Sequence, residues 1–252
     1  MIEVLILSFV QGITEFLPIS SSSHLILISK FINFQEQSLS IDVSLHIGSF
    51  IAVLVYFYKD ILNFIENKKL FLKIIVSSIP VMLTGYLLIK TNLIQDLRSI
   101  KVIGWMTLIF GFLLYVSDKC KLNNNIKKDF NYKSALIIGL FQVISLVPGV
   151  SRSGVTLTAA RLLNFKRYDS AKISFLLSIP TLGAVSAFGI INIINENDTI
   201  FSTLNLLSIF FSFLISFTTI KYFLEFLKKF SLNFFVIYRI ILGIILLYFA
   251  YL

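Results

Sequence analysis

Two segments of this chain of 252 residues concentrate polar and charged side chains within long apolar surroundings. The first reads Gln11-Gly12-Ile13-Thr14-Glu15-Phe16-Leu17-Pro18-Ile19-Ser20-Ser21-Ser22-Ser23-His24. On a helix Gln11 and Glu15 share a face, being four residues apart, and Pro18 stops that helix just beyond them. A carboxylate and an amide are thereby presented before an unwound turn, with hydroxyls and an imidazole following. The second segment reads Pro148-Gly149-Val150-Ser151-Arg152-Ser153-Gly154. Its small residues leave backbone amides accessible at the start of the next half-helix, and a helix N-terminus plus a guanidinium fork suits phosphate oxygens. His24 can act as general acid or base within reach of a hydroxyl. A plain salt bridge from Glu15 to Arg152, locking the two segments together, would explain neither the serines nor His24. His46 serves as readily as a satisfied core residue, and Arg239 is expected to reach an interface or pair inside the molecule.

The elements that must position these groups follow from composition. The chain is 57% hydrophobic, 15% aromatic and only 14% charged, with a mean hydropathy of +0.89. Soluble domains carry about a quarter charged residues, so this is read as a multi-span membrane protein. The 22 basic against 13 acidic residues give +9. In a membrane protein that excess is what topology requires, and nucleic acid is excluded as a partner. Cys120, the sole cysteine, can form no internal disulfide. The first apolar run follows Glu3, has no basic region before it and no small-residue cleavage site after it, so it is expected to be retained.

Uncharged runs at 43–58, 74–89, 102–117, 173–195, 199–220 and 230–252, the last broken by Arg239, predict six spans. The first three have 16 residues. That is about 24 Å of helix against about 30 Å of hydrocarbon, a gap that snorkelling lysines and local thinning can close. Residues 4–29 and 134–163 are apolar but broken in the middle by the two polar segments. Halves of about 10 to 14 residues are the length of a re-entrant hairpin, and irregular backbone at membrane depth must face protein or a wet cavity. If both hairpins return to their side of entry, 59–73, 118–133, 164–172 and 221–229 share one side with fifteen basic residues, against four at Lys30, Lys90, Arg98 and Lys101. The first side is then cytoplasmic, 195–199 lies outside, and so do both termini. The order hairpin, span, span, span occurs twice, with matches at an offset of 130: Pro18 with Pro148, Ser21 with Ser151, Ser44 with Ser174. The expected fold is all-α: an integral membrane protein of six transmembrane helices plus two re-entrant hairpins. It forms one membrane domain over 1–252, built as an inverted-topology repeat of about 1–120 and 131–252 whose broken helices meet at the midplane.

With those segments in place, Gln11–His24 and Pro148–Gly154 resemble the two signature segments of the bacterial undecaprenyl-diphosphatases, the bacitracin-resistance family. The likeness extends to LHIGSFIAVLVYF at 45–57 and to the Tyr238-Arg239 step, and so along essentially the whole chain. The resemblance implies a phosphatase of the bacterial cytoplasmic membrane that converts undecaprenyl diphosphate to the monophosphate, recycling the carrier for peptidoglycan and other envelope glycans. It implies Glu15 in the acidic position, Ser21 as the candidate nucleophilic hydroxyl with a metal-activated water as the other nucleophile the sequence allows, His24 as its acid/base partner and Arg152 as phosphate clamp. Gln11, Ser20, Ser22, Gly149, Ser151, Ser153 and Gly154 are assigned to substrate binding. A divalent cation, magnesium or calcium, is implied by the family alone, with Glu15 as the residue assigned to it. Many members carry a second glutamate where this chain has Gln11, which can hydrogen-bond or offer a carbonyl but supplies no charge and takes no proton. Ser23 stands where some have glycine.

The phosphatidic acid phosphatase class, which also acts on polyprenyl diphosphates, requires a histidine soon after a Ser-Arg pair; no histidine follows His46. A secondary transporter or flippase of an anionic lipid is the alternative, since inverted repeats with intramembrane charge are common there. Hydroxyls beside an acid/base pair favour chemistry. The partners expected are a polyprenyl diphosphate and the bilayer, with the site opening to the outer face; assembly is left open, a homodimer being one option.

Overall fold

The computed structural model describes residues 1–31, 38–66, 68–91, 97–195 and 202–252, and among these the chain is helical with no β-sheet. The helices are α1 (Ile2–Thr14), α2 (Ser21–Phe31), α3 (Leu39–Tyr56), α4 (Tyr58–Glu66), α5 (Lys68–Lys90), α6 (Ile100–Asp118), α7 (Ile126–Asp129), α8 (Tyr132–Val143), α9 (Arg152–Leu162), α10 (Arg167–Asn195), α11 (Thr203–Lys229) and α12 (Asn233–Tyr251). A single 3-10 turn, Ile144–Leu146, follows α8. Six of them, α3, α5, α6, α10, α11 and α12, are long and apolar enough to cross a membrane. The protein is a multi-pass membrane protein.

The bounds differ from those drawn between charges. Helix α3 begins at Leu39, where Ser38 Oγ accepts the Ile41 amide at 3.3 Å, and ends at Tyr56, so Tyr58 belongs to α4. Helices α3, α5 and α6 have 18, 23 and 19 residues, and α11 runs on through Lys221 and Glu225 to Lys229. A charge ends an apolar run but not a helix, because Lys and Glu are good helix formers. Helix α5 alone is then about 34 Å long, enough for the hydrocarbon core without thinning. The stretch 196–201, which includes most of the loop assigned to the less basic side, lies outside the described residues.

Close helix approach rests on small residues, as expected where lipid offers no hydrophobic gain on association. Gly48 of α3 lies against the Ile209 carbonyl and Ser212 of α11, Ser212 Oγ donates to Leu45 O at 2.7 Å, and Ser49 shares hydrogen bonds with Ser212 and Ser216 at 3.2 and 3.0 Å. Helix α1 seats Gly12 on Ile215 of α11, and α8 seats Gly139 on the Ser77 backbone of α5, where Ser77 Oγ donates to Ala135 O at 2.8 Å. Gly104 and Gly243 bring α6 and α12 together against Leu247 and Leu108. A line of rings, Phe16, Phe175, Phe223 and Phe235, with centroids 5.4, 6.0 and 5.3 Å apart in turn, runs through the core.

Helix α2 turns back along α1: Val4, Leu7 and Leu25 form one cluster with Ile41 and Leu45 at the start of α3. At the other end, Asp60 bonds Lys172 at 2.6 Å, and Asp118 takes Arg167 at 2.6 and 3.1 Å and the Leu232 amide at 3.1 Å. Arg161, fully buried, lies 3.8 Å from the same carboxylate and donates to the carbonyls of Asp118, Cys120, Lys121 and Phe165. The lysine-rich segments 59–73, 118–133 and 164–172 therefore share one face, with α9 ending there as α8 begins. Asp118 joins the ends of α6, α9, α10 and α12, so Asp118→Ala, which leaves Arg161 buried without its carboxylate, is expected to destabilise by about 3 kcal/mol or more. A lowered unfolding midpoint of purified protein in detergent is the readout.

Candidate functional site

The two interruptions are built alike. In the first, helical hydrogen bonding persists past the end of α1, with Glu15 N donating to Gln11 O at 3.0 Å and Leu17 N to Ile13 O at 3.3 Å. Glu15 therefore stays on the face of Gln11, and the chain leaves the helix at Pro18. Ser20 then takes a φ of +75° immediately before α2, and in the second interruption Ser151 takes +72° immediately before α9. Ser151 Oγ caps α9 by accepting the Gly154 amide at 3.1 Å. Left-handed backbone at a non-glycine residue costs about 1–3 kcal/mol, and both serines are buried. Ser20 and Ser151, 131 residues apart, thus hold like positions ahead of their helices. Three residues follow Pro148 up to Ser151 but only two follow Pro18 up to Ser20; the segment with the extra residue holds Gly149 at φ +97°, where a side chain would strike the Ile103 carbonyl of α6.

Glu15, 7% exposed, is the centre of the site. Arg152 Nη2 donates to its Oε1 at 2.7 Å, Ser21 Oγ donates to its Oε2 at 2.6 Å, and Gln11 Nε2 donates to Oε2 at 3.1 Å. Arg152 Nη1 also reaches Ser174 O of α10 at 3.4 Å, and its side chain keeps 14% exposure. Four of the expected residues, Gln11, Glu15, Ser21 and Arg152, are therefore brought together from the two interruptions. The arrangement sets a hydroxyl against a carboxylate that can accept its proton, beside a fixed guanidinium fork.

The other expected residues are placed differently. Ser20 Oγ shares hydrogen bonds with Ser22 and Ser23, at 3.4 and 2.9 Å, and Ser22 is exposed. Ser153 Oγ donates to Leu17 O at 2.8 Å, fastening one interruption to the other. Gly154 packs under Arg239, where a side chain would meet the guanidinium. Gly149, Ser151, Ser153 and Gly154 thus hold backbone in place. His24 does not bond Ser21. Its Nδ1 lies 2.7 Å from Ser20 O and its Nε2 2.5 Å from Tyr238 Oη, with the two rings stacked at 5.9 Å. A carbonyl only accepts, so Nδ1 carries the proton and the neutral ring accepts from the tyrosine hydroxyl. His46 Nδ1 donates to Asp42 O at 2.8 Å, and the ring is an electrostatic neighbour of Glu15.

Arg239, 1% exposed in the middle of α12, donates to Pro18 O (3.0 Å), Gly149 O (2.8 Å), Val150 O (3.1 Å) and Thr107 O (3.3 Å). It ties both interruptions to α6 and α12 through carbonyls alone. Among the described residues no three His, Cys, Asp or Glu side chains converge on one point. Gln11 Oε1, however, is buried without a hydrogen-bond partner beside Glu15. An amide oxygen and a carboxylate form a hard donor pair that suits magnesium or calcium when phosphate oxygens complete the shell.

The family model described as bacitracin resistance protein BacA matches residues 4–245. The chain belongs to the BacA family. Its relatives include proteins named undecaprenyl-diphosphatase from Pelagibacter ubique, 49% identical over 99% of this chain and 98% of that protein, and from a Jannaschia species, 39% identical over 98% and 97%. A third, from Roseobacter denitrificans, is 37% identical over 99% and 98%. Within this BacA-family chain, the residues that local sequence reasoning left without a place in the site are Tyr238 and Arg239. The signals for them were a charge in an otherwise apolar span and the Tyr238-Arg239 step in the family likeness, neither of which gave them a contact.

Arg239→Met takes the guanidinium from the buried Pro18, Gly149 and Val150 carbonyls of the two interruptions, and a buried carbonyl left unsatisfied costs about 1–3 kcal/mol. It is expected to lower folded yield and unfolding midpoint far more than Tyr238→Phe, which loses a single hydrogen bond at an exposed ring; thermal unfolding of the two purified variants compares them.

Proposed function

We propose that this chain hydrolyses undecaprenyl diphosphate to undecaprenyl phosphate and inorganic phosphate at the outer face of the bacterial cytoplasmic membrane. The product is the lipid carrier used for peptidoglycan and other envelope glycans. The observation that carries the reading is the Ser21–Glu15–Arg152 constellation, in which a hydroxyl, a carboxylate and a guanidinium from two membrane-buried interruptions lie within hydrogen-bond distance in sequence. The names of the family's members supply the substrate.

In this mechanism the isoprenoid chain stays in lipid and the diphosphate enters between the interruptions. Arg152 holds phosphoryl oxygens and opposes the charge on the transferring group, the contribution on which phosphoryl transfer depends most. Ser21 Oγ attacks the terminal phosphorus while Glu15 takes its proton. The bond to the bridging oxygen breaks, undecaprenyl phosphate leaves, and water cleaves the phosphoserine to give inorganic phosphate and restore the hydroxyl. His24 and Tyr238 form a proton-holding couple at the edge of the site. Glu15 and the Gln11 carbonyl would hold the divalent cation, which when bound supplies positive charge to the diphosphate oxygens.

The topology proposed with this site is two re-entrant hairpins, α1–α2 and α8–α9, entering from opposite faces, in an inverted repeat of about 1–120 and 131–252. Several features support it. Helix α2 returns to the α3 end of α1, and α9 returns to the lysine-rich face from which α8 starts. Helix α1 packs on α11 as α8 packs on α5. The positive-inside excess then sets the lysine-rich face in the cytoplasm and both termini outside.

Phosphate release from detergent-solubilised protein, where no second compartment exists, tests hydrolysis against transport. Wild type is expected to release phosphate in the presence of magnesium or calcium. Arg152→Ala is expected to lower kcat/KM by about a hundredfold or more, the usual loss for one transition-state donor, and Arg152→Lys to recover only part of it because the fork is lost. Ser21→Ala is expected to abolish turnover; full activity in that variant would replace the serine with water as the nucleophile. Folded wild type that releases no phosphate with either cation would overturn the reading.

A further inference from the structure

Residues 119–131, joining α6 to α8, are clamped to the turn between α9 and α10. The amides of Asn123 and Asn124 donate to Asn164 O at 3.1 and 2.9 Å, Lys166 N donates to Asn124 O at 2.9 Å, and Asn124 Nδ2 donates to Leu163 O at 2.9 Å. Ile126 N donates to Asp169 Oδ1 at 3.3 Å, and Lys128 N donates to the Asn125 side chain at 3.0 Å. Lys127, Lys128 and Lys166 therefore project from a fixed backbone rather than from a loose loop.

Beside this clamp lie two adjoining cavities of 340 and 450 Å³, which share Ile126, Lys127 and Lys172 and so form one trough between α4, α5, α7 and α10. Two acids line it, and both are engaged: Asp60 is bonded to Lys172 at 2.6 Å, and Asp169 holds the Ile126 amide. Lys73 donates to Phe130 O at 2.5 Å. Among the described side chains, which do not include those of residues 65–67, no carboxylate lies within ion-pair distance of Lys127, Lys128 or Lys166. Topology alone asks for basic residues on a face; it does not ask that three exposed lysines on a hydrogen-bonded backbone line one cavity. Leu70 and Ile126 give the first cavity an apolar wall.

We infer that this trough binds a phosphate group, held by Lys127, Lys128 and Lys166 and separate from the Glu15–Arg152 site. Basic pockets between membrane helices suit phosphate-bearing headgroups, and the apolar wall suits the glycerol and acyl stem of an anionic phospholipid. Free inorganic phosphate presents the same chemistry to the lysines. Two residues along α10 from Lys172, Ser174 O takes Arg152 Nη1, so one helix carries contacts to both sites.

The test is thermal unfolding of the purified full chain in neutral detergent. Phosphatidylglycerol, phosphatidylcholine or inorganic phosphate is added to wild type, to a Lys127→Gln/Lys128→Gln/Lys166→Gln variant, and to a Lys90→Gln/Lys101→Gln control. Phosphatidylglycerol is expected to raise the midpoint of wild type and control above that with phosphatidylcholine, and the triple variant to lose that shift. An equal shift from inorganic phosphate, lost in the same variant, would identify the free ion as ligand of the same trough. A shift retained by the triple variant, or no shift in wild type from either phosphate source, would overturn the inference. Should the triple variant fold poorly, the corresponding Lys→Arg variant must keep the shift, and high salt must erase it in wild type; failure of either would count equally against it.

Discussion

Hydrocarbon offers no hydrogen bonds, so a helix interrupted within it must find partners for every freed carbonyl. Arg239 meets part of that demand in both interruptions. Its guanidinium serves carbonyls of both interruptions at once, at Pro18, Gly149 and Val150, while gripping Thr107 of the neighbouring α6. A buried cation without a carboxylate is costly unless dipoles surround it, and here four carbonyl oxygens do so. The exchange is reciprocal: the carbonyls make the charge tolerable, and the charge makes the broken helices tolerable. Ser153 adds the direct fastening to Leu17. Everything at the site, including the left-handed Ser20 and Ser151, depends on this tie being closed.

The six spans were legible because apolar runs survive in composition whatever the packing does. Their ends were not, since a lysine or glutamate closes an apolar run while continuing a helix, as Lys221 and Glu225 do in α11. The Gln11–Glu15 contact was legible for a geometric reason: four residues is about one helical turn. The meeting of Glu15 with Arg152 could be expected because a buried carboxylate needs a partner and the chain offers few. The contacts of His24 with Tyr238 and of Pro18 with Arg239 span more than 200 residues and leave no local pattern. The positive φ shared by Ser20 and Ser151 also left no pattern, because it is set by the backbone ahead of each helix and not by residue type. The lysines of 119–131 were counted for topology, which sees charge on a face but not a cavity between elements.

The second interruption divides labour in a way its sequence does not announce. Gly149, Ser151, Ser153 and Gly154 look like a cradle for phosphate, yet each is engaged in holding backbone or making room for Arg239. Arg152 is the member whose side chain retains exposure and free donors. Small residues at an anion site can be needed to place one guanidinium rather than to touch the anion themselves. Removing them would misplace Arg152, so their loss and its loss would look alike in an assay of turnover.

Gln11 completes the electrostatic account. Arg152 is already paired with Glu15, so the diphosphate of the proposed mechanism would meet a nearly neutral pair rather than a free cation. A glutamate at position 11 would lie on the same helix face as Glu15, giving two carboxylates to one guanidinium and a site of net negative charge. That arrangement would hold a divalent cation strongly and repel phosphate until the cation arrived. The amide removes the repulsion, donates to Glu15, and keeps one carbonyl oxygen without a partner. In the proposed mechanism Gln11 would thereby lower cation affinity together with the barrier to the anionic headgroup, and its neutral oxygen would stand available to a cation held by substrate phosphates.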